Sequence, residues 1–491
     1  MELQDKDLLS IQEVRDLLCK AKEAQAKLKE MSQCEIDRIT KAIAEVAEKE
    51  SVRLAKMAVE ETGFGKWEDK VLKNLLGSRM VYENIKDLKT VGIINEDKDK
   101  KTADIAVPVG IVAALIPSTN PTSTTMFKAL VSIKAGNGIV ISSHPSAKNC
   151  IMETAKLLSE TAVKAGAPKG IIGCISMPSL QGTDELMKHK DTNLILATGG
   201  EAMVKAAYSS GTPAIGVGPG NGPAYIERNA DIPLSVKRIF DSKTFDNGTI
   251  CASEQSIVTE ECIKDKVIEE CKKQGAYFLS EEESKKLEKI IMRANGTMNP
   301  QIVGKSVEVI ASLAGLNVPK GRRVLIAHEN RVGHNVPYSR EKLAPILAFY
   351  VEKDWHSACE RCIAILQNEG AGHTMIIHSQ NEEVIREFAL KKPVSRLLVN
   401  TPGALGGVGA TTGLVPSLTL GCGAIGGSAT SDNVGPLNLL NIRKLAYGVR
   451  ELEDLRKTSP KQEYTASNDD SIDERDISLI VEEVLKHINN K

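Results

Sequence analysis

The chain lacks the features that would send it to a membrane or to a nucleic acid. No apolar run reaches the roughly 18 residues that a membrane-spanning helix needs, so none is expected. An excess of one charge is also missing: 63 Lys and Arg face 64 Asp and Glu, and no long basic run breaks the balance. Neither a nucleic-acid footprint nor a polybasic membrane patch is expected, and a small molecule is the partner to look for. The opening residues, MELQDKDLLSIQEV, have neither a basic n-region nor an apolar h-region, and the ten cysteines follow no repeating frame. A reducing cytoplasm is therefore expected. Cys359 and Cys362 form a C-x-x-C inside a helical pattern, but without a second cysteine pair no metal site is expected.

What is present is enough for large cores. With 491 residues, 42% hydrophobic and 26% charged, the chain suits two or three domains. From residue 7 to about 84 apolar positions such as Ile36, Ile39, Ile43 and Val46 recur at helical spacing without proline. A charged stretch, 95–101, follows. The runs GIVAALIP (110–117), GIVIS (138–142), IIGCIS (171–176), NLILAT (193–198) and PAIGVG (213–218) then alternate with helical segments. Short continuous apolar runs of this kind predict a parallel sheet covered on both faces. A second alternating section, with SIVTE (256–260), RRVLIAHE (322–329), TMIIHS (374–379) and RLLVNTP (396–402), predicts a second α/β domain. Residues 401–435 are glycine-rich and suit irregular backbone near a ligand or another chain.

The tail differs in kind. SPKQEYTASNDDS (459–471) reads as a linker, after which Ile477, Ile480, Val481, Val484, Leu485 and Ile488 fall on one helical stripe. Such a helix needs a partner.

Three stretches carry candidate chemistry. FDNGTICASEQ (245–255) sets Cys251 among Asp246, Asn247, Gly248 and Thr249, odd company for a residue usually found in cores. In ATGG (197–200), Thr198, Gly199 and Gly200 precede a helical segment whose free N–H groups could receive a dinucleotide pyrophosphate; a plain strand-to-helix turn reads equally well. LIPSTNP (115–121) sets Ser118, Thr119 and Asn120 at the carboxyl edge of the first parallel strand. An amide there either stabilises an oxyanion or caps the next helix.

These stretches carry a family resemblance. The chain from about 7 to 448 resembles the aldehyde dehydrogenase superfamily, in particular its coenzyme A-acylating branch, which includes the aldehyde domain of bifunctional aldehyde-alcohol dehydrogenases. The resemblance is carried, in order, by residues 116–147, by GVGPGNGP (216–223), FDNGTICASEQ, EKLAPIL (341–347), GAGHT (370–374) and PSLTLGCG (416–423). It implies an α/β, aldehyde dehydrogenase-like fold: a Rossmann-type NAD-binding domain over 1–228 with an oligomerisation hairpin near 95–108, and an α/β catalytic domain over 229–420. Residues 421–455 would return to the cofactor and oligomerisation region, 456–472 would form the linker and 473–491 the amphipathic helix.

The resemblance further implies that Cys251 is the nucleophile, forming a thiohemiacetal that expels hydride to NAD. The Cys251 N–H and the Asn120 amide would face the oxyanion, although gap-free counting chooses Thr119. Gly218 is carried over as a cofactor contact, and Glu341 matches the glutamate that holds the nicotinamide ribose. Two departures are informative. Val217 stands where hydrolytic members carry the glutamate that activates water, and valine cannot take a proton, so the acyl group is expected to leave to coenzyme A. The lysine and glutamate that hold the adenosine ribose give way to Ser142, His144 and Pro145, which leaves NADP open beside NAD. His373 reads either as a residue that positions coenzyme A or as an ordinary strand-end histidine.

The tail resembles the encapsulation peptides that bring enzymes to the shell or cargo proteins of bacterial microcompartments; a helix packed on its own oligomer is the other reading. The expected activity is NAD-dependent oxidation of a short-chain aldehyde, acetaldehyde or propionaldehyde, to its acyl-coenzyme A by a homodimer or homotetramer. A hydrolytic or phosphorylating aldehyde dehydrogenase, or a catalytically idle scaffold, are the alternatives.

Overall fold

The computed structural model describes residues 5–458 and 474–488. By compactness the chain divides into a large unit, Met1–Asn95 with Asp104–Lys444, and a small one, Glu96–Ala103 with Leu445–Lys491.

The strands are β1 (Gly92–Asp97), β2 (Thr102–Pro108), β3 (Ile111–Ile116), β4 (Gly138–Ser143), β5 (Ile172–Cys174), β6 (Leu194–Thr198), β7 (Ala214–Val217), β8 (Gly222–Ile226), β9 (Glu254–Glu260), β10 (Ala276–Phe278), β11 (Val324–His328), β12 (Ile346–Glu352), β13 (Gly372–His378), β14 (Val394–Val399) and β15 (Leu440–Ala446). Two parallel sheets fill the large unit. One runs β5-β4-β3-β6-β7 and the other β10-β11-β12-β9-β8-β13-β14.

Why the first sheet's strands are apolar throughout is visible in β3. Ile111, Ala113 and Leu115 pack with Val14, Leu18 and Ala21 of the helix Lys6–Leu28. Val112, Ala114 and Ile116 point the other way, toward the helices Gln33–Lys49, Pro121–Lys134 and Lys148–Lys164. A strand buried on both faces cannot alternate apolar with polar, and each fully buried branched side chain contributes about 1.5–3 kcal/mol of transfer free energy. The second sheet is layered likewise, with Tyr225, Val258 and Ile377 on one face and Ala224, Ile257 and Ile376 on the other. In the N-terminal helices, the capping box of Ser32 with Glu35 satisfies the first free N–H groups of Gln33–Lys49.

The boundary expected at 228 is displaced. β8, within 222–226, hydrogen-bonds to β9 and β13 and so belongs to the second sheet. The chain crosses between sheets in Gly218–Asn221, and because strands buried on both faces read alike, no change of composition marks the crossing. The 421–455 segment also divides: Cys422 packs in the cluster that Cys251 lies against, while β15 joins β1 and β2 in a three-stranded sheet. The expected hairpin near 95–108 thus has its strands at Gly92–Asp97 and Thr102–Pro108.

In the small unit, residues 456–458 of the expected linker finish the helix Leu452–Thr458, and 459–472 lie outside the described residues. The amphipathic helix spans Glu474–Ile488; residue 473 and residues 489–491 lie outside the described residues. Among the described residues no helix is long and apolar enough to cross a membrane.

One buried amide ties the start of β3 to the segment entering β15. Asn137 accepts from Gly110 N at 2.9 Å and donates to the Leu439 carbonyl at 2.9 Å. Asn137→Ala leaves both backbone groups buried and unpaired, and is expected to cost roughly 2–5 kcal/mol, read as a lower urea midpoint.

Candidate active site

Two sheet edges bring the expected residues together. In the first sheet the strand order reverses between β3 and β6, and open α/β sheets bind ligands outside the carboxyl ends of their strands at such a switch point. Ser118, Thr119 and Asn120 follow β3; Thr198 ends β6, its hydrogen-bonded neighbour, and Gly199 and Gly200 come next. Gly218 follows β7. The Thr198 hydroxyl is buried without a partner. A Cβ added at Gly200 or Gly218 would meet nothing within 4 Å, and Gly200 gives the helix Glu201–Tyr208 no side-chain cap. An orphaned hydroxyl, open space and a free helix N-terminus together fit a dinucleotide's phosphates. Ser142 and His144 sit one strand over with their polar atoms engaged. The Ser142 hydroxyl pairs with that of Thr183 at 2.8 Å, and His144 Nδ1 accepts from Ser146 N at 3.1 Å.

The second edge is the amino end of the seven-stranded sheet. Cys251 precedes β9, Gly220 precedes β8 and Glu341 precedes β12. Val217 to Gly222 is a single short stretch of chain, so the carboxyl end of β7 leads directly into the amino end of β8.

The approach to Cys251 is an unusual backbone. Asp246 (φ 48°), Asn247 (φ 52°) and Gly248 (φ 80°) are successive left-handed residues, a region that side-chain-bearing residues enter at a cost. The fully buried Asp246 carboxylate holds them. Its Oδ1 accepts from Lys66 N (2.7 Å), and its Oδ2 from Lys70 Nζ (2.8 Å), Lys73 Nζ (2.5 Å) and the Thr249 hydroxyl (2.7 Å). Burial alone would raise this carboxyl, but Lys73 and Lys70 outweigh it and hold it below the usual range. Burial in turn pulls Lys73 down to about 8, against the pull of Asp246. Gly65 must be glycine here, because a Cβ would lie 1.7 Å from Asp246 Oδ1.

Asn120 is tied into the same cluster. Its Oδ1 accepts from Lys73 Nζ at 2.6 Å, and its Nδ2 donates to the Thr249 carbonyl at 3.1 Å and to the Thr119 hydroxyl at 3.2 Å. Of the two residues that counting left open, Asn120 contacts the stretch that holds Cys251, and the Thr119 side chain contacts Asn120.

Cys251 is half-buried and packs with Val217, Phe245, Ile250, Leu420 and Cys422. A Cβ at Gly220 would fall 1.9 Å from the Cys251 carbonyl, so only glycine passes there; its N–H donates to Glu341 Oε1 at 2.8 Å. Burial, then Glu341 and Cys422, push the Cys251 thiol up to about 12, with Arg396 opposing. Glu341 is a buried group rather than a solvated carboxylate: burial and Glu369 push it up to about 8. Glu254, held by Gly403 N at 2.7 Å, is raised by burial to about 7. His373 is buried, its Nδ1 lies 3.0 Å from the Thr374 hydroxyl and its Nε2 has no partner; burial and then Arg396 lower it to about 3, so the ring is neutral. Arg396 in turn donates to the same hydroxyl and to the Gly421 carbonyl.

Lys70, Lys73, Gly220, Arg396 and Cys422 were not legible as site residues in the sequence. The two lysines lie three apart in the helix Trp67–Leu75, a spacing that reads as a solvated face until Asp246 is found against it.

Comparison with known proteins matches most of the chain. A sequence profile of the aldehyde dehydrogenase family matches residues 7–337. The bifunctional aldehyde-alcohol dehydrogenase of Escherichia coli is 43% identical over 442 residues, 89% of this chain and 50% of that protein. The chain thus spans about half the length of such bifunctional relatives. Among solved structures, a probable aldehyde dehydrogenase from Listeria monocytogenes is 66% identical with a TM-score of 0.91, covering 92% of this chain and 100% of that one. An acetylating aldehyde dehydrogenase from Geobacillus thermoglucosidasius is 55% identical with a TM-score of 0.90, covering 92% and 99%. A propionaldehyde dehydrogenase from the fucose utilisation bacterial microcompartment of Clostridium phytofermentans is 28% identical with a TM-score of 0.80, covering 89% and 97%.

The raised thiol gives a measurable consequence. Because the thiolate is the reactive form and its fraction grows with pH up to the pKa, alkylation of Cys251 by iodoacetamide should climb about tenfold per pH unit from pH 7 to 10. Peptide-resolved mass spectrometry of the free protein would read this rise, and a levelling-off by about pH 9.5 would show a thiol that burial has not raised.

Proposed function

This chain belongs to the aldehyde dehydrogenase family, and on that premise we propose that it oxidises a short-chain aldehyde to its acyl-coenzyme A. Val217 carries the reading. It occupies the apolar surroundings of Cys251, where a hydrolytic enzyme needs a carboxylate to activate water. Glu341, the carboxyl that raises the Cys251 thiol, is pushed up to about 8, so at neutral pH it is mostly protonated, and its Oε1 is engaged by Gly220 N. A thiol with a pKa of about 8.5 is partly ionised near neutrality and attacks a thioester without such help.

The residues then take these roles. Thr198, Gly199, Gly200, Ser118, Thr119 and Gly218 hold the dinucleotide, with Glu341, Ser142 and His144 at its riboses. Bound there, NAD supplies the hydride acceptor; NAD rather than NADP follows the family. Cys251, its thiol proton released to solvent, adds as the thiolate to the aldehyde carbon, and the resulting oxyanion is met by the Cys251 N–H and Asn120 Nδ2. Loss of hydride leaves an acyl thioester on Cys251. The coenzyme A sulfur attacks its carbonyl carbon and the Cys251 sulfur leaves. Coenzyme A enters as its thiolate and Cys251 leaves as a thiolate, and His373, neutral and with Nε2 unpartnered among the described residues, is suited to position the incoming coenzyme A. Acetaldehyde or propionaldehyde suits the apolar lining, and the microcompartment relative is a propionaldehyde dehydrogenase.

Assembly follows two exposed surfaces. The sheet of β1, β2 and β15 leaves Ile93, Ile442 and Leu445 exposed, which supports a homodimer or homotetramer formed there. The helix Glu474–Ile488 exposes Ile477, Ile480, Val481, Val484, Leu485 and Ile488, an encapsulation peptide for a shell or cargo protein of a microcompartment.

Two experiments test the reading. Purified protein given NAD and acetaldehyde or propionaldehyde should form NADH steadily only when coenzyme A is present, and Cys251→Ala should abolish it; equal steady rates with and without coenzyme A would refute the acylating assignment. Deleting 459–491 should keep activity and oligomeric state while losing co-sedimentation with shells, whereas collapse of the oligomer would refute the encapsulation role.

A further inference from the structure

We infer that Lys73 is a positioning residue for the first chemical step: its ammonium fixes which end of the Asn120 amide faces the nucleophile. The inference rests on the reading of Cys251 as nucleophile and Asn120 as oxyanion donor.

An ammonium has three donors and no acceptor. Lys73, only 2% exposed, directs them at three oxygens: Asp246 Oδ2 (2.5 Å), Asn120 Oδ1 (2.6 Å) and the Thr249 hydroxyl (2.9 Å). Only the oxygen end of the amide can sit against it. Turned over, the amide would set donor against donor there and offer a carbonyl to a developing oxyanion. The NH2 group is therefore committed to the other side, where it reaches the Thr249 carbonyl at 3.1 Å, two residues before Cys251. Its remaining hydrogen has only the Thr119 hydroxyl at 3.2 Å, a long contact to a neutral acceptor. An oxyanion outcompetes it, since charge-assisted hydrogen bonds are roughly twice as strong.

The two lysines divide the work. Lys70 also binds Asp246 Oδ2, and its other acceptor is the Thr119 carbonyl at 2.9 Å; it makes no bond to the Asn120 side chain. Asp246 consequently keeps a cationic partner when Lys73 is removed. The spacing between Lys73 and Asn120 is set by backbone contact. The helix Trp67–Leu75 continues into a π turn, Leu76–Met80, where a Cβ at Gly77 would fall 2.6 Å from the Ser123 carbonyl of the helix that Asn120 precedes. Such π turns recur beside functional sites.

A lysine that merely balances Asp246 would act independently of Asn120, and a double-mutant cycle separates the two roles. The readout is the pre-steady-state NADH burst with aldehyde and NAD but without coenzyme A, which precedes thioester cleavage. Lys73→Met and Asn120→Ala should each slow the burst by roughly a hundredfold, the scale of losing one oxyanion donor. The aldehyde concentration for half-maximal burst should move less than about threefold, and the double variant should be no slower than the slower single one. Losses that multiply, or a folded Lys73→Met whose burst matches wild type, would overturn the inference. Lys73→Gln, which keeps a polar group beside Asp246, carries the same cycle should the methionine variant not fold. Steady turnover of wild type without coenzyme A would refute the acylating reading yet leave the cycle readable, and a full burst from Cys251→Ala would remove its premise.

Discussion

A carboxylate closed away from water between two lysines sets the geometry of this protein's site. Asp246 is fully buried, and so are Lys70 and Lys73, apart from 2% of each. Moving such charges out of water costs several kcal/mol per ion, so the cluster contributes little net stability and its worth lies in geometry. It holds Asp246 and Asn247 in left-handed backbone, which turns the chain into Thr249 and Cys251, and it reaches across to Asn120 on the other sheet's edge. The stretches of Cys251 and Asn120 lie about 130 positions apart, and one ammonium, that of Lys73, touches both.

Around that cluster, burial decides the charge of everything else. The same desolvation raises Cys251 and Glu341 and lowers His373, so at neutral pH thiol, carboxyl and imidazole are all uncharged. Apolar surroundings that include Val217, Phe245, Ile250 and Leu420 offer Cys251 no side chain that can take a proton from water. A second substrate that is acidic enough to ionise by itself suits them better, and a thiol is such a substrate. The proposed acyl acceptor rests on Val217, which puts an apolar side chain where water activation needs a carboxylate.

Much of this was legible in the sequence, for physical reasons that differ by element. Strands β3, β4, β6 and β7 stand out as apolar runs because parallel strands buried on both faces have no other composition open to them. β8 and β12 are largely apolar too, yet they begin in the last two residues of GVGPGNGP and EKLAPIL, where glycine or proline marks the chain as loop. Cys251 betrayed itself through its polar neighbours, and Val217 through what it replaces. Lys70 and Lys73 gave no signal, because a lysine on a helix is ordinarily solvated and only the tertiary fold sets Asp246 against that face. Gly220 could not be told from its neighbours either, since its necessity arises from the Cys251 carbonyl packed against it.

The lifetime of the acylated enzyme tests the acceptor assignment most directly. Protein mixed with NAD and propionaldehyde in the absence of coenzyme A can be followed by intact-protein mass spectrometry. A single propionyl adduct on Cys251 should accumulate and persist for many minutes, then vanish within seconds of adding coenzyme A as propionyl-coenzyme A appears. An adduct that never accumulates while free propionate builds up would contradict the account, for water would then be clearing the thioester although Val217 stands in place of the carboxylate that activates it.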